Sequence, residues 1–362
     1  MKFYATDKRC NRQGRIVEHG DIAYLGYSGS SVEFRFVGRK AVACLWSDPD
    51  SYEDNLKARV AVFLNDADEP EKRFVLEQGE REYVLYESPE EKEVTLRLVK
   101  YSETAFAGCG IKYFEIDTER LLAPPPLPER KIEIIGDSIT CGYGVEAASE
   151  LIPFDTQTEN PMKSYSMLTA KALQAQVNLV SFSGNGIISH YVEETATQPQ
   201  DEILMPLLYD YTDPASSAKV NGQELTDAHA DSWEKWDFSN YEPQLILINL
   251  GTNDCSWCKD EKDRKENFRD KYLLFLEQVR ARNPQAKILC MLGTMDQRLA
   301  RQVEEAVLSF KKRHPDDETG YLHLPEQNPA DGYGADWHPC EKTQRDTAKL
   351  VIEAAKKLMN WA

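Results

Sequence analysis

Two hydrophobic rhythms divide the chain. From Gly26 to about Ile116, apolar and polar residues alternate in short runs: Val32-Glu33-Phe34-Arg35-Phe36, Ala58–Phe63, Tyr83–Tyr86, Val94–Leu98 and Lys112–Ile116. A period of two sets one face of a run on a core and leaves the other wet, so each run predicts a strand. Turn-forming stretches separate them: Ser47-Asp48-Pro49-Asp50, Asn65-Asp66-Ala67-Asp68 and Ser88-Pro89. Many short strands with regular turns and no long amphipathic helix predict an all-β sandwich of jelly-roll type over residues 1–120.

The rhythm changes after Leu122-Ala123-Pro124-Pro125-Pro126-Leu127-Pro128. Prolines remove backbone donors and fix φ, so this stretch continues neither a central strand nor a helix, and 121–130 is expected to be a stiff linker. Beyond it, buried strands are expected at 131–135, 177–181, 245–250, 288–292 and 321–324. Helices with apolar residues three and four apart are expected at 163–174, 267–282, 297–314 and 341–358. Strands alternating with helices predict an α/β domain, a parallel sheet flanked by helices, over 131–362. The length, 362 residues, suits two domains.

Charge narrows the partners. The chain has 43 basic and 61 acidic residues, a formal charge of -18 that repels nucleic acid and anionic membrane surfaces. No nucleic-acid or membrane partner is expected. The N-terminus lacks an apolar run of signal-peptide length, and no stretch approaches the roughly 20 apolar residues of a spanning helix, so a cytoplasmic location is expected. The 8 cysteines are scattered, and free thiols are expected. Cys255-Ser-Trp-Cys258 has redox or half-zinc-site spacing without a second Cys/His pair, so no metal is implied there.

Four segments carry candidate chemistry. Ile134-Ile135-Gly136-Asp137-Ser138 ends an apolar strand in a turn that presents a serine, with Asp137 as a turn-stabilising neighbour. Ser181-Phe182-Ser183-Gly184 follows the next strand, and its glycine permits close backbone approach. Asn249-Leu250-Gly251-Thr252-Asn253-Asp254 ends a third strand with an amide donor. Gly334-Ala335-Asp336-Trp337-His338-Pro339 is the one histidine segment with a carboxylate two residues before the histidine and a proline directly after it; His190, His229, His314 and His323 read as surface or helix-end residues. In open α/β sheets, groups at the carboxyl ends of strands face the ligand crevice.

These segments, in this order, resemble the four blocks of the SGNH (GDSL-type) hydrolase superfamily. Gly26-Tyr27-Ser28-Gly29-Ser30, Gly110-Ile111, the proline stretch, Lys131–Gly144 and Trp236-Asp237-Phe238 further resemble carbohydrate esterase family 2, in which a jelly-roll domain precedes an SGNH domain. The resemblance implies a serine carboxylic-ester hydrolase that removes acetyl groups from oligosaccharides: gluco- or mannopyranosyl units, with a preference for the 6-hydroxyl, or xylosyl units. It implies Ser138 as nucleophile, His338 as general base, and an oxyanion hole from the Ser138 and Gly184 amides with the Asn253 side chain. No cofactor is needed for such a reaction.

Asp336 lies two residues before His338, where the wider superfamily has its acid three before, a position held here by Ala335. Asp336 is expected to orient His338, the competing reading being a Ser–His dyad steadied by a backbone carbonyl. Trp337 and Trp257 are candidate sugar platforms; Trp233, Trp236 and Tyr143 share only proximity in sequence with the blocks. Two other readings compete: a lipase or lysophospholipase, which needs an apolar acyl channel, and an inert carbohydrate-binding protein.

Overall fold

The computed structural model describes residues 1–48 and 54–362. Residues 13–47 and 59–116 supply most of a nine-stranded antiparallel sheet built around two long strands, Ser31–Ser47 and Gly79–Lys100, which pair along their length. These strands curve across a β-sandwich. Alternation settles the register: Val32, Phe34 and Phe36 are buried with Leu96, Leu98 and Phe114, while Glu33 and Arg35 stay at the margin.

The Asn65-Asp66 turn forms as expected, with both residues at positive φ. The Ser47–Asp50 turn falls partly on residues 49–53, outside the described residues. Ser88-Pro89 does not end a strand. It lies within Gly79–Lys100, where the register shifts between Gly38 and Lys40, so the runs expected at 83–86 and 94–98 are one strand. The irregularity accommodates the donor that proline lacks.

The second half forms a five-stranded parallel sheet, ordered Ala175–Ser181, Arg130–Gly136, Leu245–Asn249, Lys287–Leu292 and Thr319–His323. Both faces are covered, which explains the unbroken apolar runs. Ile246 and Ile248 pack under the helices Lys262–Arg282 and Ala300–Arg313, whereas Leu245 and Leu247 face Tyr165–Ala172 and Glu341–Met359. The chain starts at the second position of this order, steps outward, then crosses back. That reversal opens a crevice at the carboxyl ends of the first three strands.

The proline stretch carries neither helix nor strand and straps the halves together: Pro125 accepts from Asn11 at 2.8 Å and Pro128 from Gln176 at 2.6 Å. A polar seam does more. Arg15, fully buried, donates to the Tyr209 and Tyr211 carbonyls at 2.7 and 2.8 Å and pairs with Glu133 at 3.2 Å. Lys219 of the hydrolase half likewise pairs with Asp48 of the sandwich at 2.7 Å.

Candidate active site

The strand Arg130–Gly136 delivers Ser138 to the first turn of a short helix, Ser138–Cys141. Asp137 caps that helix, its carboxylate accepting the Ile139 N–H at 3.0 Å, the stabilising role its position predicts. Burial pushes the Asp137 carboxyl up to about 7, against the pull of the Ile139 amide.

His338 enters from the other end of the chain. The loops bearing the two residues press together at Gly144 and Gly334, where any side chain would overlap the opposing segment, and Ala335 donates its N–H to the Gly144 carbonyl at 3.0 Å. His338 Nε2 lies 2.8 Å from the Ser138 Oγ. Its Nδ1 lies 3.0 Å from the Ala335 carbonyl and 3.1 Å from the Asp336 carbonyl. Carbonyls only accept, so Nδ1 carries the proton and Nε2 is left to accept from the serine hydroxyl. Burial pushes the imidazole down to about 4, partly offset by those carbonyls and the Asp336 charge. His338 is therefore neutral at pH 7.

The geometry corrects the expectation for the Asp336 carboxylate. It turns away from the imidazole and accepts the Tyr143 hydroxyl at 2.9 Å, while the main chain of the same residue faces Nδ1. The physical reason is backbone shape. Asp336 and Trp337 both have positive φ, 49° and 65°, a tight turn that aims carbonyls, not the side chain, at the ring.

Gly184 and Asn253 converge on the same spot. Gly184 has φ 76°, which explains the glycine, and sits in the turn after Ala175–Ser181. Asn253, buried in the helix Thr252–Cys258, donates to the Asn185 carbonyl at 2.8 Å and lines the cleft with Ser138, Gly184 and His338. Its neighbour Asp254 accepts N–H groups from Ile187, Ile188 and Ser189 at 2.7–3.1 Å, pinning the loop after the turn. Burial still pushes Asp254 up to about 6. A serine hydroxyl against the free nitrogen of a neutral imidazole, beside an amide side chain and a glycine turn around an open cleft of about 740 Å³, is an arrangement able to perform acyl transfer.

Trp337 is 54% exposed and lines the cleft, joined there by Tyr191, 55% exposed, which sequence reasoning missed. Trp257 does not reach it. It packs on the core under the Arg264 guanidinium, 3.7 Å from the ring, so the sugar-platform expectation for Trp257 is corrected to packing. Trp233 is buried and Trp236 lies beneath Arg15. Tyr143 stacks between Phe154, at 3.7 Å, and His338, at 4.2 Å between centroids. The sandwich contributes Phe106 to the cleft. Cys255 and Cys258 are buried free thiols. Among the described residues, the one grouping with ligand-like spacing is Glu103, Cys141 and Glu159, all buried beneath the site.

A parallel sheet with this crossover, a serine at the end of its first strand and a histidine before its last helix define a serine ester hydrolase of SGNH type. The chain belongs to the GDSL-like lipase/acylhydrolase family, whose model matches residues 134–345. A second model, the carbohydrate esterase 2 N-terminal domain, matches residues 13–126. Among curated proteins, the chain is 31% identical over 343 residues to cellulase/esterase CelE of Acetivibrio thermocellus, covering 92% of this chain and 38% of that one. It is 26% identical over 363 residues to an acetylxylan esterase / glucomannan deacetylase of Cellvibrio japonicus, covering 99% of this chain and 91% of that one. The structure of a family two carbohydrate esterase from Clostridium thermocellum in complex with cellohexaose superposes with a TM-score of 0.82 at 29% identity, over 98% of this chain and 100% of that one.

Proposed function

We propose that the chain hydrolyses O-acetyl esters on oligosaccharides through an acyl-enzyme on Ser138, with residues 1–120 and 131–362 as its two domains and 121–130 as the linker. The carrying observation is the contact of 2.8 Å between His338 Nε2 and Ser138 Oγ in an imidazole whose other nitrogen is fixed by carbonyls. In this reading Ser138 attacks the acetyl carbon as its proton passes to Nε2. The tetrahedral oxyanion lies among the Ser138 and Gly184 N–H groups and the Asn253 amide. Nε2 returns the proton to the departing sugar hydroxyl, and water then repeats the sequence on the acetyl-enzyme, releasing acetate.

Two observations favour sugar. Exposed Trp337 and Tyr191 flank the serine as faces for pyranose rings, and the relatives include an acetylxylan esterase / glucomannan deacetylase and an esterase solved with cellohexaose. The substrate class is therefore acetylated gluco-, manno- or xylo-oligosaccharide. A reducing, cytoplasmic setting is supported by eight free cysteines. No helix among the described residues is long and apolar enough to cross a membrane.

Time-resolved NMR of acetyl signals in acetylated manno- and xylo-oligosaccharides, with wild type beside Ser138→Ala, tests the proposal. Loss of particular acetyl signals only with wild type supports it and assigns the position attacked. Persistence of every signal with wild type sinks it.

A further inference from the structure

A carboxylate from the sandwich reaches beneath the oxyanion donors. Glu103 follows the strand Gly79–Lys100 and is 1% exposed. It accepts the Ser183 backbone N–H at 2.7 Å and, through its other oxygen, the Ser183 hydroxyl. Ser183 immediately precedes Gly184, so the peptide carrying the Gly184 N–H starts from the residue that Glu103 grips.

The rest of that turn is tied from within the hydrolase half. The Gly184 carbonyl accepts from Tyr191 at 2.9 Å, Asn185 donates to the Phe182 carbonyl at 3.2 Å, and Asn253 holds the Asn185 carbonyl at 2.8 Å. Glu103 completes the set from the sandwich half.

A buried carboxylate is costly unless its lone pairs are occupied, so its place here calls for an explanation. Beside it lies Glu159, equally buried, which accepts the Glu103 N–H at 3.3 Å. Burial raises both carboxyls: Glu159 is pushed far above the usual carboxylate range, with the charge on Glu103 adding to it, and at Glu103 the Ser183 donors oppose the rise. Both Glu103 oxygens are occupied by donors of Ser183, which offsets the cost of burying the carboxyl and ties it to that residue.

We propose that Glu103 is a positioning residue for the reaction: by clamping Ser183 it sets the Ser183–Gly184 peptide so that the Gly184 N–H points at the oxyanion, which makes the sandwich part of the reacting apparatus. This rests on the reading of Ser138 as nucleophile and Gly184 as oxyanion donor.

The test uses the full chain and p-nitrophenyl acetate, so it does not depend on the sugar substrate. Glu103→Gln presents an amide NH₂ to one of two donors, and Ser183→Ala removes only the hydroxyl. For Glu103→Gln, kcat is expected to fall about 10- to 100-fold, short of outright loss of a donor, with KM within about threefold. Affinity for an aryl trifluoromethyl ketone, whose hemiketal on Ser138 needs the same oxyanion donors, should fall by the same factor as kcat/KM. Ser183→Ala should show a smaller loss in the same proportion. A purely structural role would instead lower the melting temperature and leave kcat and ketone affinity at wild-type values well below it, which overturns the proposal. If Glu103→Gln does not fold, wild-type kcat in Ser183→Ala is equally decisive against it. Failure of the underlying reading shows separately, as wild-type enzyme that an organophosphate does not label at Ser138.

Discussion

The Tyr143 hydroxyl donates to the Asp336 carboxylate at 2.9 Å, and this bond occupies the group that the sequence assigns to His338. With two carbonyls already on Nδ1, the imidazole keeps its tautomer without the carboxylate. Asp336→Asn should therefore retain kcat within about tenfold, far from the loss of about 10⁴ seen where a triad acid is indispensable. Asparagine also tolerates the left-handed backbone of this position, φ 49° and ψ 42°. Asp336→Ala does not share that tolerance and should cost about 1 kcal/mol of stability, read by denaturant titration. A kcat for Asp336→Asn lowered a thousandfold would return the carboxylate to the reacting groups.

The pH profile follows from the same ring. Because burial holds His338 near 4 rather than 6.5, the base stays unprotonated as pH falls through the range where an ordinary histidine is lost. The acid limb of kcat/KM for p-nitrophenyl acetate should have its midpoint nearer 4 than 6.5. Stability carries the matching sign. The unfolded chain takes up this proton before the native state does, so the His338 contribution is complete above about 6.5 and lost as pH falls toward 4. An NMR titration of the His338 ring, in the folded enzyme, reads the midpoint directly; a value above 6 would contradict both statements.

What could be read in advance, and what could not, follows from the range of each interaction. Ser138, Gly184, Asn253 and His338 each end a strand or precede a helix, and local rhythm with strand-end logic brings them together. Asp336 failed because a carboxylate two residues from a histidine looks close in sequence, and only the backbone angles show which of its oxygens faces the ring. Trp257 failed because one turn of helix decides whether an indole meets the cleft or the core. Glu103, Phe106 and Arg15 had no signal at all, since their partners lie in the other half of the chain. Asp254 stood inside a recognised block, yet its three amide partners at Ile187–Ser189 belong to another loop.

Asn253 is buried and serves both the cleft and the Asn185 carbonyl. Asn253→Ala should lower kcat by about 10²- to 10³-fold through the lost donor. The lost bond to Asn185 should cost roughly 1 kcal/mol, enough to lower the melting temperature by a few degrees. A kcat within threefold of wild type, measured with p-nitrophenyl acetate, would remove Asn253 from the oxyanion donors.

The two tryptophans should separate cleanly. Trp337→Ala is expected to raise KM for acetylated oligosaccharide by about 10-fold, a stacking contribution of ~1.4 kcal/mol, while kinetics on p-nitrophenyl acetate barely change. Trp257→Ala should leave both KM values alone and cost about 1–3 kcal/mol of stability, a discounted core truncation because the ring is only partly buried. Steady-state kinetics on both substrates, with urea denaturation beside them, decide the pair. Equal KM effects from both variants would refute the placement of Trp257.

Arg15 tests whether the halves act as one body. Its guanidinium has no exposed surface, and its two terminal nitrogens reach three acceptors in the hydrolase half: the Tyr209 and Tyr211 carbonyls and the Glu133 carboxylate. Arg15→Ala strands the Glu133 charge with the Tyr209 hydroxyl, at 2.8 Å, as its remaining donor among these groups. Breaking one side of a buried pair costs about 3–5 kcal/mol. Arg15→Ala paired with Glu133→Gln should recover part of that loss, because the second change removes the stranded charge. Urea denaturation followed by intrinsic fluorescence gives the four stabilities of the cycle. A strictly additive cycle would mean that the seam is held by packing around Arg15 and not by its charge.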